Sequence, residues 1–351
     1  MKDDTRLLTP TEEPLAARRP RSRLKLIVWV VVLAILAFAA FNLPLPMFYA
    51  YEPGPVRDVE KLVTVSGERT YSSEGSLYLT TVSIDLEVTF AEWVGASFND
   101  EIEVVSRQSV TGGVSFEEVE QQQKAQMEQS KQQARDVALS EFERFGKPDG
   151  DGAEIVDTLK GSPAEGTLRA KDVIVAVDGS PIDTTCDAVN AIASHDPGDE
   201  VELTIERAGE RRTIRLETAE DPAEPGTPLV GVFMTTANYD YNPGIDVRFK
   251  TGNIAGPSAG LMFTLALYDQ LTPDDLTHGR EIAGTGTIGC GGEVGPIGGI
   301  RQKVAGAEAQ GARIFLTPTA NVADARVVAE GIEIVPVATF DDALRYLEGL
   351  R

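Results

Sequence analysis

The chain has 351 residues, which is room for about two domains at roughly 100 to 200 residues each. Its 55 acidic residues outnumber its 32 basic residues, so the formal net charge is -23. This balance argues against a nucleic-acid-binding surface and favours an acidic globular body in water, with no nucleic-acid partner.

The N-terminus differs from the rest of the chain because a basic cluster directly precedes a long apolar segment. The basic residues are Arg18, Arg19, Arg21, Arg23 and Lys25. Residues 26 to 45 carry no charge and approach the roughly 20 apolar residues that cross a bilayer. Positive charge before the segment and Glu52 after it place residues 1 to 25 in the cytoplasm. We expect a single-pass transmembrane helix in the cell membrane, with the body of the protein outside the cytoplasm.

A cleaved signal peptide is the alternative interpretation of this segment. Ala37, Phe38 and Ala39 fit the small-x-small pattern that precedes a cleavage site. The apolar run is longer than the h-region of such a peptide, which favours the anchor. Both interpretations export the body of the protein.

Strand patterns and then one long helix follow the apolar segment. Residues 62 to 90 are rich in β-branched and aromatic side chains interrupted by turn residues, which predicts a β-layer. Ser115 and Glu118 form a capping-box pattern that begins a helix reaching Phe145. Its Gln and Glu content predicts a solvated face, and the candidate contacts are Val119, Met127, Val137, Phe142 and Phe145.

A compact unit of short strands and one helix is predicted between residues 148 and 219, before a Pro-rich linker at 220 to 228. Its segment "GSPAEGTLRAKDVIVAVDGSPI" resembles a PDZ domain of the bacterial type. It departs from that family at Lys171, where a glycine usually precedes the aspartate, and no clean carboxylate-binding loop is evident. PDZ domains bind extended peptides at a sheet edge, so the resemblance implies substrate recognition or gating. A structural insert without a ligand is the alternative.

The two cysteines, Cys186 and Cys290, lie far apart in different predicted domains. This spacing does not indicate a disulfide framework. We expect both to be packing residues.

The last third of the chain, residues 228 to 351, alternates predicted strands and helices. This pattern predicts an α+β or α/β architecture. Ser258 lies in it between Gly-Pro and Ala-Gly, directly before an apolar helix. A helix N-terminus favours negative charge, as an oxyanion would need, and neighbouring glycines allow close backbone approach. A serine at this position is more often a helix cap, so the motif alone leaves both roles open.

A nucleophilic serine needs a base, and the chain offers few candidates. His195 lies in the PDZ-like unit and His278 in a polar connection, so a Ser-His-Asp site has little support. The sequence contains no HExxH or CxxC metal pattern. Lys303, the only lysine after Lys250, lies on the apolar stripe of a predicted helix, where desolvation would lower its pKa. A lysine whose ammonium reaches solvent is the alternative.

Two motifs together, "GPSAG" at 256 to 260 and "GTGTIGCGGEVGPIGGIRQK" at 284 to 303, resemble the proteolytic domain of Lon-type serine peptidases. The resemblance implies that Ser258 is the nucleophile, Lys303 the general base and Thr285 the residue that positions the lysine. It also implies an oxyanion and substrate loop, which comprises Gly256, Pro257, Ala259 and Gly260.

Two departures from the Lon pattern bear on mechanism. Ala255 stands where many Lon peptidases carry an aspartate. We expect this departure to change how the active site is gated. No GxxxxGK[ST] phosphate loop is present, so we expect an ATP-independent endopeptidase with no cofactor and no metal. Peptides and unfolded proteins are the expected substrates.

The order of parts resembles the membrane-anchored PDZ and Lon-like proteases of Gram-positive bacteria. The predicted parts are a basic tail at 1 to 25, a transmembrane helix at 26 to 45, a β-layer with a long helix at 52 to 147, a PDZ domain at 148 to 219 and a catalytic domain at 228 to 351. We also expect that 52 to 147 belongs to the catalytic fold, which makes the PDZ unit an insertion. Lon-like domains often form rings, so a homo-oligomer is a further expectation.

Two other roles remain open at this point. A catalytically silent, membrane-bound PDZ adaptor would keep the fold without the chemistry. Processing of the chain's own membrane-proximal segment would be compatible with the peptidase.

Overall fold

A computed structural model describes residues 21–221 and 226–350. Residues 1–20 of the predicted tail and 222–225 of the predicted linker lie outside the described residues. The first part of the chain contains these elements: α1 (Arg21–Phe41), β1 (Phe48–Pro53), β2 (Arg57–Asp58), β3 (Val63–Ser66), β4 (Ser76–Leu79), β5 (Val82–Asp85), α2 (Phe90–Ala96), β6 (Glu103–Ser106), α3 (Arg107–Thr111) and α4 (Phe116–Ser140).

The predicted apolar segment forms most of α1, which ends at Phe41 and not at residue 45. Its large apolar side chains from Leu26 to Phe41 are exposed on every face. Within the described ranges, no helix meets the length and hydropathy required to cross a bilayer.

The long helix α4 confirms the predicted start. Ser115 accepts a hydrogen bond from the Glu118 N–H, and the Glu118 carboxylate accepts one from the Ser115 N–H, so the capping box is complete. The helix ends at Ser140, and a short 3-10 turn then leads to Gly146. Its buried side includes Met127, Ser130 and Val137, while the Gln and Glu side chains are mostly in solvent.

The PDZ-like unit has its own core and a sheet of order β11-β10-β8-β7-β14, with β9 beside β8. Its elements are β7 (Ala153–Thr158), β8 (Val173–Val177), β9 (Ser180–Pro181), α5 (Thr185–Ala193), β10 (Glu200–Arg207), β11 (Glu210–Glu217), β12 (Ala219–Glu220), β13 (Pro228–Leu229) and β14 (Val232–Thr236). The sheet therefore extends past the predicted boundary at 219, because β14 pairs antiparallel with β7.

The last part of the chain completes a second sheet. Its elements are β15 (Asp246–Phe249), α6 (Gly260–Leu271), β16 (Glu281–Gly284), α7 (Ile300–Gln310), β17 (Ile314–Pro318), α8 (Val322–Val328), β18 (Glu333–Val337) and α9 (Phe340–Glu348). The sheet order is β18-β17-β16-β4-β2, in which β4 runs parallel to β16. A separate two-stranded ladder joins β3 to β15.

One hydrophobic core joins the segments on either side of the PDZ-like unit. It contains Leu77 and Leu79 from β4, Met127 and Val137 from α4, and most of α6. The strands and helix before residue 147 thus pack with the last third of the chain. The PDZ-like unit, residues 153 to 236, is inserted between them in sequence.

The expectation that the cysteines are unpaired packing residues is wrong. Cys186 on α5 and Cys290 in the loop after β16 form a disulfide, with their Cα atoms 5.0 Å apart. The two positions are 104 residues apart in sequence, so only the packing of the PDZ-like unit against this loop brings them together.

Candidate active site

Ser258 lies in a 3-10 turn, Pro257–Ala259, directly before α6. Gly256 precedes the turn with a φ of +89°, a conformation that favours glycine. Ser258 comes before the N-cap residue of α6, which is Ala259, and no side chain makes a capping hydrogen bond there. The Ser258 hydroxyl contacts a lysine instead, so the geometry removes the simple capping role that the sequence left open.

Lys303 supplies that contact from the first turn of α7. Its Nζ lies 2.7 Å from Ser258 Oγ, although the two residues are 45 positions apart. Lys303 is only 3% exposed. It lies on the buried face of the helix, which also carries Ile300, Val304 and Ala307. Burial lowers the pKa of the Lys303 ammonium from its ordinary value near 10.5 to about 7. A large fraction of the side chain is therefore a neutral amine near pH 7.

Thr285 follows β16 and completes a triangle with the serine and the lysine. It is fully buried, and its Oγ1 accepts a hydrogen bond from Lys303 Nζ at 3.0 Å. Its hydroxyl donates to the Ser258 carbonyl oxygen at 3.0 Å. Because one hydroxyl contacts both residues, Thr285 fixes the direction of the Lys303 amine relative to Ser258.

The other residues of the predicted oxyanion and substrate loop are fixed by backbone hydrogen bonds and close packing. The Gly256 N–H donates to the Gln123 carbonyl oxygen at 3.0 Å, so it is already satisfied by α4. The Pro257 carbonyl oxygen accepts from Ser130 Oγ and from the Gly260 N–H. A Cβ on Gly260 would lie 2.8 Å from the Ile288 nitrogen, so this position has no space for a side chain. Ala259, the last residue of the turn, is buried.

The site opens into a cleft of about 910 Å³. Ser258 and Lys303 line it together with Thr287 and the segment 296–299. Residues of α4 also line it, among them Gln123 and Met127. Neither His195 nor His278 is among the lining residues. Among the described residues, no group of three or more His, Cys, Asp or Glu side chains is placed to hold a metal ion.

Sequence reasoning missed the contribution of α4 to this site. Met127 was expected to make a contact, but Gln123 and Ser130 carry no pattern that distinguishes them from the other polar residues of the helix. Their role depends on which turn of α4 meets Gly256 and Pro257. No sequence signal indicates that register.

The PDZ-like unit contains an open sheet edge that sequence reasoning did not locate. Strand β14 is the last strand of its sheet and packs near α5. It follows a loop in which Gly231 has a φ of +83°, and a Cβ at this position would lie 2.1 Å from the Ser162 Cβ. On the side away from β7, strand β14 pairs with no other strand in the described part of the chain. Lys171, the departure from the PDZ pattern, has a φ of +75°, which explains why a glycine is usual there.

Two family models match the chain, and the range of the PDZ match differs from that of the PDZ-like unit at 153 to 236. The family model of the PDZ domain matches residues 113–218. The model of the Lon protease (S16) C-terminal proteolytic domain matches residues 234–348. The chain therefore combines a PDZ domain with a Lon-type proteolytic domain, and these matches support a serine peptidase.

Individual relatives cover only parts of the chain. A Lon protease from Phenylobacterium zucineum is 32% identical over 43% of this chain and 19% of its own length. A probable periplasmic serine endoprotease, DegP-like, from Pseudomonas fulva is 34% identical over 24% of this chain and 18% of its own. The chain thus matches less than a fifth of either relative's length.

Among solved structures, the PDZ domain of an SdrC-like protein from Listeria monocytogenes is 24% identical. It covers 24% of this chain and 87% of its own, with a TM-score of 0.22.

Proposed function

We propose that the chain is an ATP-independent serine endopeptidase that uses a Ser258–Lys303 dyad. The observation that carries the proposal is the 2.7 Å contact between Ser258 Oγ and a buried lysine whose pKa is lowered to about 7. A lysine amine is a useful base only when it is neutral, and burial produces that state near pH 7. Peptides and unfolded proteins are the proposed substrates.

The first half of the reaction forms an acyl-enzyme. The Lys303 amine takes the Ser258 proton while Ser258 Oγ forms a bond to the peptide carbonyl carbon. The resulting Lys303 ammonium then gives its proton to the leaving nitrogen, and the C–N bond breaks. In the second half, Lys303 takes a proton from water, water attacks the ester carbon, and Ser258 Oγ leaves with that proton.

The backbone of the 3-10 turn Pro257–Ala259, the catalytic turn, is the proposed oxyanion site. The Ser258 N–H lies at the start of the turn that leads into α6, where N–H groups and the helix dipole favour negative charge. Donors of this kind act in the transition state because they are already oriented when charge develops. The Gly256 N–H is an unsuitable donor, since Gln123 already accepts it.

The PDZ domain is proposed to hold an extended segment of the substrate. The free edge of β14 offers backbone groups for pairing. Phe233 of β14 and Val189 of α5, the helix that packs near this strand, have exposed side chains. Because Cys186 of α5 is bonded to Cys290 in the loop that reaches the cleft, peptide binding and the active site are physically connected.

We also propose a position at the membrane, through the apolar segment that forms α1. The support is its composition: from Leu26 to Phe41 no charged residue interrupts the exposed apolar side chains. Attachment would leave the catalytic body outside the cytoplasm. Flotation of the full chain with phosphatidylcholine vesicles tests this, and a chain that stays at the bottom of the gradient contradicts it.

The dyad is tested by cleavage of a fluorescently labelled unfolded protein by the full chain in detergent. We expect Ser258→Ala and Lys303→Ala each to lower the rate by at least about a thousandfold, as removal of a nucleophile or its base does in other serine peptidases. Cleavage should need no ATP. A serine-directed covalent probe should label the wild type at Ser258.

Matched controls separate chemistry from folding. Ser140→Ala and Lys147→Ala change the same residue types outside the cleft and should leave the rate unchanged. Thermal unfolding of every variant checks that the fold is retained. Absence of cleavage and of probe labelling in the wild type would contradict the peptidase and favour a silent PDZ adaptor.

A further inference from the structure

Two residues of α4 contact the catalytic turn or the glycine before it, although this helix belongs to the first half of the chain. The Gln123 carbonyl oxygen accepts the Gly256 N–H at 3.0 Å. Two turns further along the helix, Ser130 Oγ donates to the Pro257 carbonyl oxygen at 2.9 Å. The helix therefore holds the two residues that directly precede Ser258.

The Ser130 contact is unusual for a serine inside a helix. Such a serine commonly donates to a carbonyl one turn earlier in its own helix. Ser140 does so, because its Oγ donates to the Val137 carbonyl oxygen at 2.7 Å. Ser130 is 2% exposed and donates across to another segment, so its hydroxyl depends on Pro257 for its partner.

The Pro257 carbonyl shares a peptide plane with the Ser258 N–H. In a trans peptide these two groups point in opposite directions, and the plane turns as one unit. Ser130 and the Gly260 N–H both bind the carbonyl, which fixes the plane and aims the Ser258 N–H away from α4. Without the Ser130 hydroxyl, one of the two restraints on this plane is lost.

We propose that Ser130 is a positioning residue for catalysis, which sets the peptide plane that carries the Ser258 N–H. This inference rests on the proposed Ser258–Lys303 mechanism. Ser130 contacts neither Ser258 Oγ, Lys303 nor Thr285 by a hydrogen bond, so it acts through Pro257 alone. Ser130 therefore affects the orientation of the Ser258 N–H and of the Ser258 hydroxyl, and it leaves Lys303 unchanged.

This role predicts a specific kinetic pattern for Ser130→Ala. Loss of a whole oxyanion donor lowers kcat by about a hundredfold to a thousandfold, so disorienting one should lower it by roughly tenfold to a hundredfold. KM should change by less than about twofold, because the ground-state substrate does not need the oxyanion donor. The acidic limb of the pH profile should stay in place, since the surroundings of Lys303 are the same.

The experiment measures kcat, KM and the pH profile of the full chain on an unfolded labelled protein. Ser140→Ala is the matched control, since it removes a serine hydroxyl from the same helix with only a local partner. Ser130→Thr keeps a hydroxyl and should restore most of the lost kcat. Binding of a peptide aldehyde, which forms a tetrahedral adduct on a serine, should weaken in Ser130→Ala by the same factor as kcat.

Three results would overturn the inference. They are an unchanged kcat in Ser130→Ala, a loss that appears only in KM, and an equal loss in Ser140→Ala. If Ser130→Ala unfolds at the assay temperature, aldehyde binding to wild type and to folded Ser130→Thr is compared at a lower temperature. An affinity more than tenfold weaker in Ser130→Thr, which keeps the hydroxyl, would also overturn the inference. Ser258→Ala in the same assay separates this failure from failure of the mechanism, because full activity there would refute the dyad itself.

Discussion

At the scale of single residues, the decisive feature is Lys303, because its buried position disfavours the charged ammonium. Lys303 has hydroxyl neighbours in Ser258 and Thr285 and no carboxylate partner among the described residues. Burial is the sole cause of its lowered pKa. The sequence indicated the apolar stripe, but it could not exclude a lysine whose ammonium reaches solvent.

The lowered pKa of Lys303 predicts the pH dependence of cleavage. The base works only when neutral, so activity should fall as pH drops through about 7 and reach a plateau above that value. A profile of kcat/KM on a substrate without ionisable groups near the scissile bond reports this value for the free enzyme. An acidic limb near pH 10 instead would show that the Lys303 amine is solvated.

At the scale of elements, the catalytic turn fits between α4, α6 and the loop after β16. The loop meets the first residue of α6 so closely that Gly260 would place a Cβ within 2.7 Å of the Ile288 side chain. The predicted start of α4 at Ser115 is confirmed because a local capping signal exists there, whereas the helix ends at Ser140, before the predicted end at Phe145. The contact of α4 with Pro257 had no such signal.

Gly260→Ala should therefore displace either the turn or the loop. We expect a loss of roughly 2 kcal/mol or more in the free energy of unfolding, which is typical of overpacked sites, together with a fall in kcat. Gly95→Ala is the control, because its Cβ in α2 would meet nothing within 4 Å. That change should be neutral or stabilising by up to about 1 kcal/mol, since alanine favours a helix over glycine. Equal denaturation midpoints of the two variants would contradict the close contact.

At the scale of the whole molecule, the PDZ unit is attached to the catalytic core at several points. The chain enters and leaves it through the paired positions Asp149 and Asp240. Tyr239, just after the unit, donates a hydrogen bond to Asp136 of α4. The disulfide between Cys186 and Cys290 adds a covalent link from α5 to the loop beside the cleft. The unit is therefore fixed relative to the catalytic core in the described structure.

The disulfide should contribute strongly to stability because it closes a long loop. By the chain-entropy account, a loop of about 100 residues is worth roughly 4 to 5 kcal/mol through the constraint on the unfolded chain. We expect Cys186→Ser with Cys290→Ser to unfold at a lower denaturant concentration than the oxidised wild type. A reductant should lower the midpoint of the wild type and leave the double variant unchanged. Identical denaturation midpoints for the oxidised wild type and the double variant would contradict a stabilising disulfide.

The sequence alone determined what depends on neighbouring residues: the start of α4 at Ser115, the apolar stripe around Lys303 and the glycines that flank Ser258. The two motifs also carried the resemblance from which the roles of Ser258, Lys303 and Thr285 were inferred. Only the tertiary structure decided which distant residues meet. It brought Lys303 to Ser258 across 45 residues, Cys186 to Cys290 across 104, and Ser130 to Pro257 across 127. Capping and periodicity act within one or two turns, whereas these contacts depend on how whole elements pack around a shared core.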